Sequence, residues 1–306
     1  MNVFAINRRL VRPAAAAAIF AAALLTSASA QSPGAARKVF FSVLDRDGAP
    51  VTDLTAAELE VKEDGKTQEI TLQPASAPLR IALIVADGGT GAYQAAVSTL
   101  INRLLKSNAE FKIVGVVEQA ETYTTYTSSV PELSAAVQRL TKRAARRMGA
   151  QVLDAINESI ADVAADGKRP VIVVMRLGGE PPSTLRANVV RDALRKSGAR
   201  LHVISPLGAG GMGVTRSQGN SQGDTDVSNA IVLNQVIDDG SRDSGGRHDT
   251  VAASTLLKTA EALATELLSQ YEVSYTLPAG TNPSDRLEIE TKRRDVRIFA
   301  PRRIPN

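Results

Sequence analysis

The sequence predicts an α/β fold, a mainly parallel sheet with helices on both faces, plus a small β-sandwich formed by the N- and C-terminal segments. Three observations carry this. From Leu79 onward, apolar β-branched runs alternate with segments of helical spacing, the rhythm of βα units around a parallel sheet. The flanking stretches 38–72 and 271–300 read as short strands between turn signals. Each is too thin to bury a core alone, so the two are expected to come together. With 306 residues, 43% of them apolar, and no cysteine, the chain is long enough to form a core without disulfide staples.

The elements follow in order. Arg8, Arg9 and Arg12, the apolar run Ala14–Leu25 and the small residues Ala28-Ser29-Ala30 have the form of a secretory signal over residues 1–30. The apolar run is short for a membrane span, which needs about 20 residues. Cleavage near Ala30 and export to the periplasm or secreted space are expected, an uncleaved anchor being the alternative. Cleavage removes three arginines and no acid, so the formal net charge of +4 falls to +1 and the basic balance of the whole chain does not define a partner. The N-terminal β segment, 38–76, holds strand Lys38–Leu44, the turn Asp45-Arg46-Asp47-Gly48, a capping box Thr55-x-x-Glu58, strand Leu59–Lys62, hairpin turn Glu63-Asp64-Gly65 and return strand Thr67–Leu72.

The α/β part, 77–271, opens with Leu79–Ala86 (LRIALIVA), which runs into Asp87-Gly88-Gly89-Thr90-Gly91 and then the helix Tyr93–Lys106. A strand ending in Asp, followed by a Gly-rich turn and a helix, sets one carboxylate at the sheet rim, where open α/β folds bind ligands. Strand Phe111–Val117, helices Glu132–Arg147 and Val152–Ala164, strand Val171–Met175, helix Thr184–Lys196 with a Ser197-Gly198 C-cap, and strand Leu201–Ile204 continue the alternation. Gly208–Asn229, rich in Gly, Ser, Gln and Asp, is expected to be a flexible surface loop. Helices Asn229–Asp238 and Leu256–Leu268 follow. The chain closes with strands Tyr271–Leu277, Arg286–Thr291 and Val296–Phe299 at hairpin spacing, the C-terminal β segment being 272–300.

Three stretches in this order carry a family resemblance. The first is Val43–Leu54 (VLDRDGAPVTDL), continuing to Val61–Gln68 (VKEDGKTQ). The second is the strand ending at Asp87. The third is Gly245-Gly246-Arg247, followed by a helix and Tyr271–Tyr275 (YEVSY). Together they resemble the bacterial exported VWFA-related proteins, a branch of the von Willebrand factor type A (vWA) superfamily with a Rossmann-like α/β domain. The resemblance implies protein binding, and in the family a divalent cation held at the rim by oxygen ligands from three loops, as suits Mg²⁺. Here Asp87 keeps the first ligand, Gly89 and Gly91 stand in place of two serines, Ala150 in place of a threonine, and Leu177 in place of a second aspartate. The site is therefore expected to be degenerate, with no metal and no cofactor. Arg176, at a neighbouring strand end, is a candidate to neutralise Asp87 by a bidentate pair.

The expected function is a non-enzymatic protein-binding or assembly module of the bacterial envelope or secreted space, its surface being the rim of 87–92, 147–151, 176–182 and the 206–229 loop. The alternative is a Mg²⁺-dependent adhesion module in which Asp87 is joined by ligands such as Thr90 or Glu180. A third is a hydrolase, for which no nucleophile motif is visible: His248-Asp249 lies near serines but without a Gly-x-Ser-x-Gly elbow. Arg139, Lys142, Arg143, Arg146 and Arg147 share one helix face. This is either a solvated face or a dock for an acidic partner or an anionic envelope surface. The basic residues Lys292, Arg293, Arg294, Arg297, Arg302 and Arg303 have no interleaved aromatics on which bases could stack. Nucleic acid is not expected as a partner, and edge-strand protection is the simpler role. Zero cysteines and two histidines exclude thiolate and multi-histidine metal sites.

Overall fold

The computed structural model describes residues 36–117, 119–141, 152–178, 183, 185–207, 231–278 and 280–305. The expected signal segment and the 208–229 loop lie outside them, as do Lys142, Arg143, Arg146, Arg147, Ala150 and Glu180. Among the described residues no helix is long and apolar enough to cross a membrane.

A six-stranded sheet forms the central layer. Its strands are β5 (Leu79–Ala86), β6 (Glu110–Val116), β7 (Ala120–Thr127), β8 (Arg169–Arg176), β9 (Arg200–Pro206) and β10 (His248–Val251). Their spatial order is β10-β9-β8-β5-β6-β7, parallel throughout except for the β6–β7 pair. The near-continuous apolar strands follow from burial on both faces. Ile81, Leu83 and Val85 point into one core with helices α1 (Gln94–Leu104), α2 (Val130–Arg139) and α6 (Leu256–Leu268). Ala82, Ile84 and Ala86 point into the other, under α3 (Val152–Val163), α4 (Ala187–Ser197) and α5 (231–243). The middle of α5, Gln235–Gly240, is a π-helix. Helix α4 ends as expected, with Gly198 at φ 66° as its left-handed cap.

The chain ends build two antiparallel sheets around a third core. One has the order β13-β1-β11-β4, with β1 (Ala36–Asp45), β4 (Thr71–Pro74), β11 (Tyr271–Thr276) and β13 (Val296–Phe299); the other has the order β12-β2-β3, with β2 (Leu59–Glu63), β3 (Lys66–Thr67) and β12 (Leu287–Thr291). Val39, Phe41 and Val273 from the first meet Leu59, Val61 and Leu287 from the second in one apolar cluster, so both ends of the chain share one core. Asp64 and Gly65, at φ 50° and 75°, make the two-residue turn between β2 and β3, the left-handed pair such a hairpin requires.

Several expectations need correction. The return strand Thr67–Leu72 is two strands, β3 and β4, in different sheets. The last three strands are not successive hairpins: β11 and β13 flank β1, while β12 pairs with β2, because the chain alternates between the two layers. Helix Glu132–Arg147 is described as Val130–Arg139 with a turn at Leu140-Thr141, the remainder lying outside the described residues. Strands β7 and β10, at the two edges of the central sheet, were not anticipated.

Candidate functional site

Strand β5 has β6 on one side and β8 on the other, so the chain reverses its direction of winding there. The crevice outside the carboxyl ends of β5 and β8 is the switch point at which this architecture binds ligands. Asp87 sits there, 2% exposed. Its Oδ1 accepts a hydrogen bond from the Gly89 N–H at 3.0 Å. Its carbonyl accepts from the Thr90 hydroxyl at 2.9 Å and from the Thr90 N–H at 3.3 Å. The loop closes into this tight turn because Gly88, Gly89 and Gly91 hold φ of 63°, 75° and 75°, the left-handed region that glycine enters without steric cost. Asp87 Oδ2 is buried and has no hydrogen-bond partner among the described residues.

The expected Asp87–Arg176 pair is not formed; among the described residues, no cationic side chain makes an ion pair with Asp87. Register explains this. Arg176 lies opposite Ala86, so its side chain leaves the sheet on the Ala86 face, under α3 and α4. Leu177 is the residue beside Asp87, and it packs on the other core. Arg176 is itself 5% exposed, and its carbonyl accepts the buried Tyr93 hydroxyl.

In the described segments 87–92 and 176–178, side-chain oxygens come from Asp87 and Thr90. Among the described residues Asp87 Oδ2 has no hydrogen-bond partner, Leu177 carries no side-chain oxygen, and the Thr90 hydroxyl donates to the Asp87 carbonyl. Gly89 and Gly91 lack side chains and sit in a backbone conformation that strains any serine. At Gly91 a Cβ would also come within 2.7 Å of Thr141 Cγ2. No group of three or more His, Asp or Glu side chains among the described residues could hold a metal. On the basic face, Arg139 is already engaged: its guanidinium donates to Glu121 at 2.7 Å and to the Tyr123 carbonyl, and lies over the Tyr123 ring.

One constellation at the same end of the sheet had no sequence motif to announce it. The Ser205 hydroxyl on β9 meets His248 Nε2 at 2.5 Å, and His248 Nδ1 meets Asp238 Oδ1 at 2.6 Å. Asp238 lies within the π-helical turn of α5, which sets its carboxylate toward β10. Residues 205, 248 and 238 are distant in sequence and only the β9–β10 pairing unites them. Nucleophile-to-base and base-to-acid contacts are in place, and Ser205 is 2% exposed within a paired strand. The relay ties the short edge strand β10 to α5.

Neither a family model nor a curated protein matches this chain. Among solved structures, the chain is similar to the pilus adhesin SpaC of Lactobacillus rhamnosus GG, with 10% identity over 70% of this chain and 34% of that one and a TM-score of 0.45. It is also similar to proximal thread matrix protein 1 of the mussel byssus, with 13% identity over 69% of this chain and 50% of that one and a TM-score of 0.43. A von Willebrand factor type A protein of Catenulispora acidiphila aligns over 91% of this chain and 75% of that one, with 10% identity and a TM-score of 0.41. The chain thus covers a third to a half of the length of the first two. The central layer, with helices on both faces of a mainly parallel sheet and the β5 Asp at its switch point, is a Rossmann-like α/β fold.

Proposed function

We propose that the chain is a non-enzymatic protein-binding or assembly module of the envelope or secreted space, vWA-like in fold and without the family's cation site. The observation that carries this reading is the backbone of the Asp87 loop. Gly89 and Gly91 are left-handed, and Thr141 fills the space that a side chain at 91 would need. The loop has been rebuilt around glycine, which is more than the loss of two hydroxyls. Recognition then falls to polar and charged contacts of the rim segments 87–92, 147–151, 176–182 and 206–229 with a protein partner. Titration calorimetry of the purified chain with Mg²⁺ and Mn²⁺ tests the reading. No saturable heat in the millimolar range is expected, for the parent chain and Asp87→Ala alike; tight binding abolished by Asp87→Ala would overturn it.

One observation favours the second reading, a Mg²⁺-dependent adhesion module. Asp87 Oδ2 is desolvated and unpartnered, a state that costs about 1–3 kcal/mol and that a cation would relieve. The same titration decides between the two.

A further inference from the structure

At the opposite end of the central sheet, the amino ends of β8 and β9, the helix α4 terminus, β1 and the C-terminal tail line an open cavity of about 570 Å³. That size matches small-molecule sites, which run from about 300 to 1,000 Å³ with mostly apolar walls and a few convergent polar groups. Phe40, Val171, Leu194 and Ile304 supply apolar wall. The cations around it have carboxylate partners: Lys38 meets Glu272 at 2.9 Å, Lys168 meets Glu110 at 2.9 Å and Arg191 meets Asp243 at 2.6 Å.

Arg169 differs. It is 5% exposed, and its partners are all neutral: the Ala77 carbonyl from Nε, and the Leu267 carbonyl and Gln270 Oε1 from Nη1. Among the described residues it forms no ion pair, and its Nη2 makes no hydrogen bond. Glu272, the carboxylate whose charge acts on it, is held by Lys38 and Gln73. Burial pushes the Arg169 guanidinium down to about 10, which leaves it cationic at neutral pH. Gln270, in the same wall and 2% exposed, leaves its Nε2 donor without an acceptor among the described residues. A buried cation whose hydrogen-bond partners are all neutral, beside an unsatisfied donor and in the wall of a cavity with apolar surface, is a site that an anion with an apolar body would suit.

We propose that this cavity binds an amphipathic organic anion, its carboxylate or phosphate head on Arg169 and its apolar body along Phe40, Val171, Leu194 and Ile304. The site is independent of the Asp87 rim. The test is calorimetric titration of the full chain with octanoate, octyl phosphate and octanol. Saturable binding of at least one anion, tenfold or more tighter than octanol, is expected, and the preferred anion identifies the head group. Gln270→Glu places a carboxylate against Arg169, so it should raise the melting temperature of the free chain and weaken anion binding at least tenfold. Ile304→Trp fills the apolar end and should weaken binding without touching Arg169. The proposal is overturned if neither anion binds saturably, if octanol binds as tightly as the anions, or if both variants bind like the parent.

Discussion

Glycine positions show how closely the backbone dictates identity. Gly246 lies where a Cβ would fall 1.9 Å from the Leu201 carbonyl oxygen, a backbone atom that has no rotamer to move away. This is the physical reason for glycine at the second position of the Gly245-Gly246 pair. At Gly91 the obstruction is the Thr141 methyl together with a φ of 75°. Gly91→Ser is expected to lower stability by roughly 1–3 kcal/mol in urea unfolding. Adding Thr141→Ala should recover the part due to contact and leave the part due to φ. If Gly91→Ser were neutral, the loop would be plastic enough to accept a side chain at this position, and glycine would not be required there. The glycines at 89 and 91 were visible in the sequence; their left-handed backbone was not, because φ is set by the turn closing on Asp87.

At the scale of the element, strand β9 carries an unusual burden. His202 is 1% exposed among the apolar residues of the sheet, and neither ring nitrogen has a hydrogen-bond partner among the described residues. Burial, reinforced by the positive charges of Arg200 and Arg247, holds its imidazole well below the usual 6.5. In the unfolded chain this group takes up a proton as pH falls through 6.5, while in the folded chain it stays neutral. The unfolded state therefore binds more protons below that pH, and His202 costs stability by up to about 1.4 kcal/mol per pH unit as the medium is acidified. Urea unfolding at pH 7.5 and 5.5 should show a smaller acid loss for His202→Leu than for the parent chain, and a more stable variant at both pH values. An equal acid loss in the two would mean that the imidazole finds a partner. The strand itself was legible from its apolar run, whereas its edge partner β10 (HDTV) was too short to show a period, and β7 (AETYTTYT) was hidden by its polar, threonine-rich sequence. Edge strands carry less of the buried apolar signal from which strands are read.

For the whole molecule, the question is what makes the central layer and the terminal sheets one folding unit. Arg200, 4% exposed, opens β9 and reaches outward: its guanidinium donates to the Gly245 carbonyl, to Ser42 Oγ on β1 at 3.1 Å and to the Phe299 carbonyl on β13 at 3.2 Å. Behind it lies Glu266 of α6, 1% exposed, 3.6 Å from Arg200 and 2.9 Å from Arg247. The Arg247 contact is close but off the hydrogen-bond direction, so the Glu266 carboxylate is held by charge and makes no aligned hydrogen bond. Desolvation pushes the Arg200 guanidinium down to about 10 while Glu266 opposes that shift, so the pair persists at neutral pH. The sequence signalled that the two chain ends must meet, because neither could bury a core alone. It gave no sign of the arginine that fastens them, since an Arg beginning an apolar strand reads as a surface residue. Arg200→Met keeps the bulk but strips the donors from two layers and leaves Glu266 to Arg247 alone. A loss of about 3–5 kcal/mol is expected, with residues 38–72 and 271–299 losing amide-exchange protection before 79–116. If protection fell uniformly across all three sheets, the apolar contacts alone would be enough to keep the layers together, and Arg200 would be a local element of β9.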